Sequence, residues 1–387
     1  MDSVSDTQDP VDEDGSGVSD GAGVTGSAQL EDADGGGQVV HLDAGPGRPS
    51  SLGPVGITDT AQSVQHHPSQ VSITGKSVRV GDRVFLALAA GSGGLLLVIM
   101  AAIATFLIIK AIPAITGNTG NLFTTQVWNP DDDPPVFGMA ALLFGTLMSS
   151  GIALLIGVPV AIGIALFISH YSSKRVGAVL AGVVDLLAAV PSLIFGMWGL
   201  YFLIPETRGF QSWLNEYFSW IPLFDTGQPL TVNQFGKSLL MAGFVLAIMI
   251  IPIVSAVSRE VFNQTPRETI DAALALGATK WESMRVAVLP FGRAGMISAS
   301  MLGLGRALGE TIAVALVLNS GFQINWYILE PGGDTFAATI ANKFGEASGS
   351  PLGIPALITA GLFLFVITLV VNTAARLVIA RRREFIS

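Results

Sequence analysis

Six stretches of the chain are apolar for long enough to cross a bilayer, which takes about 20 helical residues. They run roughly over residues 84–109, 139–168, 176–204, 238–257, 294–318 and 355–380, and Pro191 interrupts the third. Six apolar runs of this length are not the pattern of a soluble core. They predict an all-α polytopic membrane protein with about six transmembrane helices, over a transmembrane domain of residues 79–387.

Composition agrees with the pattern. Of 387 residues 50% are hydrophobic and only 13% charged, against about 25% charged in ordinary soluble domains. The charge is unevenly placed. Residues 1–80 hold twelve acids and three bases, a net of nine negative, which is the whole net charge of the chain. That segment is rich in Gly, Ser, Asp and Gln and nearly free of aromatics. It cannot bury enough apolar surface to offset the entropy of ordering, so residues 1–78 are expected to form a disordered acidic tail. An Asp-heavy tail suits a salt-rich cytoplasm and points to a halophilic prokaryote. The absence of cysteine excludes disulfides and thiol chemistry.

Basic residues set the expected orientation. With the N-terminus inside, fourteen lysines and arginines flank the spans on the inner side and four (Lys110, Arg208, Lys237, Lys343) on the outer. Both termini are therefore expected in the cytoplasm of a multi-pass plasma-membrane protein.

Residues 258–293 depart from the membrane pattern. They are too polar to span, yet read as two short capped helices. Thr265-Pro266-Arg267-Glu268 reads as a capping box with Pro at the first helical position. The helix runs through Asp271-Ala272-Ala273 and meets Gly277, a residue able to take the left-handed geometry that ends helices. A second box, Thr279-Lys280-Trp281-Glu282, opens a helix expected to end before Pro290. The small alanines leave a helix slim enough for another protein's groove.

The spacing Asp271-Ala272-Ala273, Gly277, Leu289-Pro290 resembles the EAA loop of ABC importer permeases, with Asp271 in place of Glu and Ala287 in place of Ile. More of the chain resembles one branch, the PstC-type permeases of phosphate importers. The resemblance rests on Asn129-Pro130, Phe137-Gly138, Gly145-Thr146-Leu147, Val158-Pro159, Ala189-Val190-Pro191-Ser192, Trp198-Gly199-Leu200, the run Gly303–Thr311 and Phe344-Gly345-Glu346-Ala347. It covers roughly residues 80–387 and implies a type I (MetI-like) permease fold. It also implies that Asp271, Ala272, Ala273, Gly277, Leu289 and Pro290 couple to ATPase subunits. The implied partners are a PstA-like sister permease, two PstB-like ATPase subunits that carry ATP and Mg, and an extracytoplasmic phosphate-binding protein. Outer segments 114–136, 206–236 and 321–354 would receive that binding protein.

Arg306 and Glu310 lie four apart in the fifth apolar run, so a continuous helix would place them on one face. An ionisable side chain at mid-membrane costs about 2.5–3.5 kcal/mol or more and should face the bundle interior or a wet path. Arginine's planar fork suits two phosphate oxygens. Arg306 is therefore the expected anion contact, with Glu310 as its resting partner. Asp185 is a further carboxylate expected along the path. Gly305 and Gly309, with Gly303 nearby, form a small-residue face for close helix packing.

Several function classes drop out. Gly75-Lys76-Ser77 ends like a Walker A loop, but Gln70 stands where its first Gly belongs, so ATP must bind another chain and none is expected here. No metal motif, no nucleophile setting and no basic nucleic-acid patch is present, so the chain reads as a transport subunit and not an enzyme. Two alternatives stay open: a permease for another oxyanion such as molybdate or sulfate, and an ion-gradient-driven secondary transporter that needs no ATPase.

Overall fold

The computed structural model describes residues 80–383. The acidic segment 1–78, with His41, His66 and His67, lies outside the described residues. Helices are numbered along the chain. Helix α1 spans Val80–Gly117, and α2, Ala140–Leu166, follows a two-stranded antiparallel ribbon of β1 (Trp128–Asn129) and β2 (Val136–Phe137). A wide turn over Phe167–Tyr171 leads to α3 (Lys174–Ala188), α4 (Ser192–Trp198) and α5 (Ile204–Phe218). Then come α6 (Leu239–Asn263), α7 (Arg267–Ala275), α8 (Lys280–Ser283), α9 (Leu289–Gly309), α10 (Ile312–Val317), α11 (Phe336–Ala347) and α12 (Gly353–Arg383).

Five runs are long and apolar enough to cross a membrane, and a sixth if one bent pair is counted as a single span. The bent pair is the expected third span. Lys174–Ala188 meets Ser192–Phe218 at 90°. Pro191 stands at the corner with φ −58° and ψ 139°. It has no N–H for the preceding turn, and its ring clashes with continued helix, so the run cannot pass through it. At 1.5 Å per residue α3 is only about 22 Å long, short of the roughly 30 Å of a hydrocarbon core. The Ser192–Phe218 segment is about 40 Å long on the same measure, but it is apolar enough to cross only when taken together with Lys174–Ala188.

Helix α6 is the centre of the bundle. In its most apolar stretch 67% of residues are buried, against 6% in that of α1. Leu246, Ile250 and Val254 of α6 pack with Ala153 of α2, Ala299 of α9 and Val314 of α10. The bare apolar surface of α1 needs lipid or another chain to cover it. A second core at the opposite end from the 264–280 loop joins Trp128, Phe137 and Met139 to Phe336, Ala356 and Leu357. There the Phe336 N–H donates to Thr146 Oγ1 at 3.2 Å, tying the start of α11 to α2.

The close approach of α9 to α6 differs from the expected face. A Cβ at Gly303 would lie 2.7 Å from Val254, at Gly295 2.4 Å from Val261, and at Gly292 2.6 Å from Phe262. At Gly305 and Gly309 nothing of this chain lies within 4 Å. The face of α9 that meets α6 carries 292, 295, 299 and 303, so the Gly305–Gly309 pair points away from it.

Candidate functional site

The fifth apolar run is not one helix. Helix α9 stops at Gly309, Glu310 is extended (φ −69°, ψ 126°), and α10 starts at Ile312. This overturns the single span 294–318 and with it the shared helix face of Arg306 and Glu310. Once the chain leaves the helix at Gly309, residue 310 no longer sits one turn above residue 306. No ion pair joins the two among the described residues. Glu310 is buried, and its Oε1 accepts from the Ala313 N–H at 3.3 Å, satisfying one of the donors that α10 leaves open at its start. Thr311 Oγ1 donates to Gly309 O at 3.2 Å. The exposed polar backbone of a broken helix is thus partly closed by its own neighbours, as an interruption at membrane depth requires.

Arg306 is half-buried, and its Nε lies buried with no hydrogen-bond acceptor. The side chain opens onto a groove of about 820 Å3 between α1, α9 and α12. Among the described residues Ser298, Thr368, Asn372, Thr373 and Arg376 join Arg306 in the groove's polar lining, and no carboxylate lines it. Two guanidiniums facing one acid-free groove form an anion-seeking surface. Arg376 and Asn372 were missed in the sequence because Arg376 reads as one more basic flank. Their spacing of four on an otherwise apolar helix was the available signal.

Asp185 is not brought to Arg306. Both its carboxylate oxygens accept from Arg259 Nη2 at 3.3 Å, which ties α3 to the last turns of α6. The Asp185 side chain is 53% exposed and that of Arg259 19%, so most of the desolvation falls on the arginine.

The polar loop stands proud of the bundle. No residue of α7 is buried. The expected cap at Thr265 does not form: α7 begins at Arg267 with Pro266 as its cap residue and no side-chain bond. Thr265 instead turns inward, with its Oγ1 buried and unpaired. The second box does form. Glu282 N–H donates to Thr279 Oγ1 at 3.3 Å, and Thr279 N–H donates to Glu282 Oε2 at 2.8 Å. Gly277 has φ +88°, the left-handed turn expected of it. Asp271, Ala272 and Gly277 are exposed and Ala273 is half-buried. Leu276, at 90% exposure, is the most protruding apolar side chain of the loop, and Trp281 beside it is also exposed.

Leu289 and Pro290 lie elsewhere than expected. The helix opened by Thr279 does not end before Pro290; Lys280–Gly309 forms one run. A wide turn over Met284–Val288, in which Leu289 N–H reaches back to Met284 O, lets the run pass through proline. Met284 and Val288 pack on Ala165, Leu166 and Phe262, with Ile270 beside them. The loop is therefore anchored on the ends of α2 and α6, and Leu289 and Pro290 belong to its stem.

Such a bundle, with a broken helix beside a cationic groove and a protruding loop, defines a multi-pass membrane permease subunit. A family profile described as "binding-protein-dependent transport system inner membrane component" matches residues 157–384. The Mycobacterium tuberculosis phosphate transport system permease protein PstC 2 is 46% identical over 310 residues, 80% of this chain and 95% of that protein. PstC of Mycobacterium leprae is 46% identical over 274 residues, covering 70% of this chain and 85% of its own. The probable PstC of Methanocaldococcus jannaschii is 38% identical over 285 residues, 73% and 88% of the two chains. The chain belongs to this family of inner-membrane transport components, within its PstC branch. Among solved structures, the inward-facing MetNI methionine ABC transporter aligns with 63% of this chain and 93% of its own, at 16% identity and a TM-score of 0.43.

Proposed function

We propose that this chain is the permease subunit of an ATP-driven importer of inorganic phosphate. The observation that carries the substrate is Arg306: a guanidinium with a buried, unpaired Nε, facing an acid-free groove that holds a second arginine. A bound oxyanion supplies the missing acceptors and both negative charges. Glu310 holds the start of α10, and so keeps the break open beside Arg306. The path is completed by a sister permease of the PstA type, whose helices also cover the bare surface of α1.

The 264–280 loop is the coupling element. With both termini in the cytoplasm, it lies on the cytoplasmic side, where two ATPase subunits of the PstB type bind ATP and Mg and receive α7 and Leu276 in a cleft. Segments 114–136, 206–236 and 321–354 then face outward and meet a phosphate-loaded binding protein. ATP closes the ATPase pair and moves the loop, and α6 and α9 carry the movement to the groove. The acidic segment 1–78 fits a salt-rich cytoplasm.

The test is uptake of labelled phosphate into liposomes holding the assembled complex. Uptake that requires ATP and is not competed by equimolar sulfate or molybdate is the expected result. Competition by either oxyanion would move the substrate, and uptake by this chain alone on a proton or sodium gradient would overturn the reading. Arg306→Ala should abolish uptake, whereas Arg306→Lys keeps the charge without the fork and should retain only a small part of it.

A further inference from the structure

A second cationic recess lies at the opposite end of α10 from the helix break. It holds about 350 Å3 and is lined by Arg208 of α5, by Asn233, Gln234 and Lys237 in the segment leading to α6, and by Asn319 just past α10. Two cations and three carboxamides converge there, and among the described residues no carboxylate lines the recess. Among the described residues neither Arg208 nor Lys237 forms an ion pair. Arg208 Nε is buried without an acceptor, the same unmet donor found at Arg306.

The lining is held in place by its own bonds. Gln234 Oε1 accepts from Thr231 N–H at 2.8 Å and from Thr231 Oγ1 at 3.0 Å, which leaves its amide N–H groups as the free part. Lys237 O accepts from Gly332 N–H at 3.2 Å, and Ser238 bridges Pro331. Lys237 thus sits on a fixed backbone. Between Leu318, which precedes Asn319, and Thr311 at the break lie the six residues of α10, a helix about 9 Å long.

We propose that this recess is an outer oxyanion station, where inorganic phosphate is held by Arg208 and Lys237 before it passes along α10 to Arg306. The inference rests on the phosphate-permease reading and adds a binding step to it. The chemistry is that of a small multivalent oxyanion: a planar fork and a point charge neutralise it, and amide N–H groups meet the remaining oxygens. Two cations set apart from Arg306 give the ion a weaker, wetter stop, from which it can leave. A single deep site would hold it.

The experiment measures binding of radiolabelled inorganic phosphate to the assembled complex in nanodiscs without its binding protein, for the native chain, Arg306→Met, and a triple variant that adds Arg208→Gln and Lys237→Gln to Arg306→Met. ATPase stimulation by the phosphate-loaded binding protein is titrated in parallel. The expected result is phosphate binding in the native complex and in Arg306→Met, weakened at least about tenfold in the triple variant relative to Arg306→Met, the loss of one charge-assisted hydrogen bond or more. Half-maximal stimulation by the binding protein should stay where it is. A triple variant that binds phosphate as well as Arg306→Met does overturns the station. If it instead needs far more binding protein, Arg208 and Lys237 are contacts for that protein's acids. Native complex that binds phosphate in the recess but transports none would sink the importer reading while leaving the station intact.

Discussion

Replacing Arg306 with methionine should separate transport from stability. Methionine matches the apolar stem of arginine but removes the guanidinium. Among the described residues that group's buried Nε donor has no acceptor, and no carboxylate shares its groove. A buried donor left unmet costs about 1–3 kcal/mol, and a charge near mid-membrane adds to that. Among the described residues no ion pair is lost by the change, since Glu310 bonds Ala313 N–H and not Arg306. Arg306→Met should therefore raise the thermal midpoint of the purified complex or leave it unchanged, while ATP-driven phosphate uptake falls below detection. The assay pairs thermal unfolding in detergent with uptake in liposomes. A variant that loses about 2 kcal/mol or more of stability would mean that Arg306 has a structural partner after all. Normal uptake would remove it from the path.

Gly277→Pro cannot adopt φ +88°, so the turn behind Leu276 must rebuild. Helices should still insert, but ATP hydrolysis should no longer respond to the binding protein, as measured by stimulated ATPase rate. Gly303→Leu drives a side chain into Val254 and should destabilise the chain by about 1–3 kcal/mol, whereas Gly305→Leu, which meets nothing of this chain within 4 Å but lines the Arg306 groove, should leave its unfolding midpoint unchanged and lower phosphate uptake. Asp334, outside the spans, is held above its ordinary carboxyl range by burial, which outweighs the hydrogen bonds from Ser320 and Thr335. The folded state then keeps a proton that the unfolded chain has lost, so stability falls as pH rises from 3.8 through the raised value. In Asp334→Asn that fall should be missing, and its midpoint should exceed the native one most clearly at neutral pH.

Long-range apolarity made the spans legible, and Pro191 marked its own corner because proline acts through local backbone chemistry. What stayed hidden depended on which way a residue faced. Thr265 has the spacing of a cap, but the chain turns it into the body and begins α7 two residues later. Gly303, Gly305 and Gly309 look alike in sequence, and only the rotation of α9 against α6 decides that Gly303 is the contact. The break at Gly309–Glu310 falls inside an apolar run with no proline, so hydropathy passed over it. Arg306 stood out because charge is rare at that depth. Arg376, Arg208 and Lys237 did not, because bases near span ends are ordinary.

The interlock of α9 with α6 has a mechanical consequence. Gly292, Gly295 and Gly303 admit Phe262, Val261 and Val254 so closely that neither helix can slide along the other without a clash. These two helices are also the stems on either side of the 264–280 loop. A displacement imposed at Leu276 therefore cannot be absorbed by slippage between the stems. It must turn them together, as one stiff strut, and the far end of that strut is the broken joint beside Arg306.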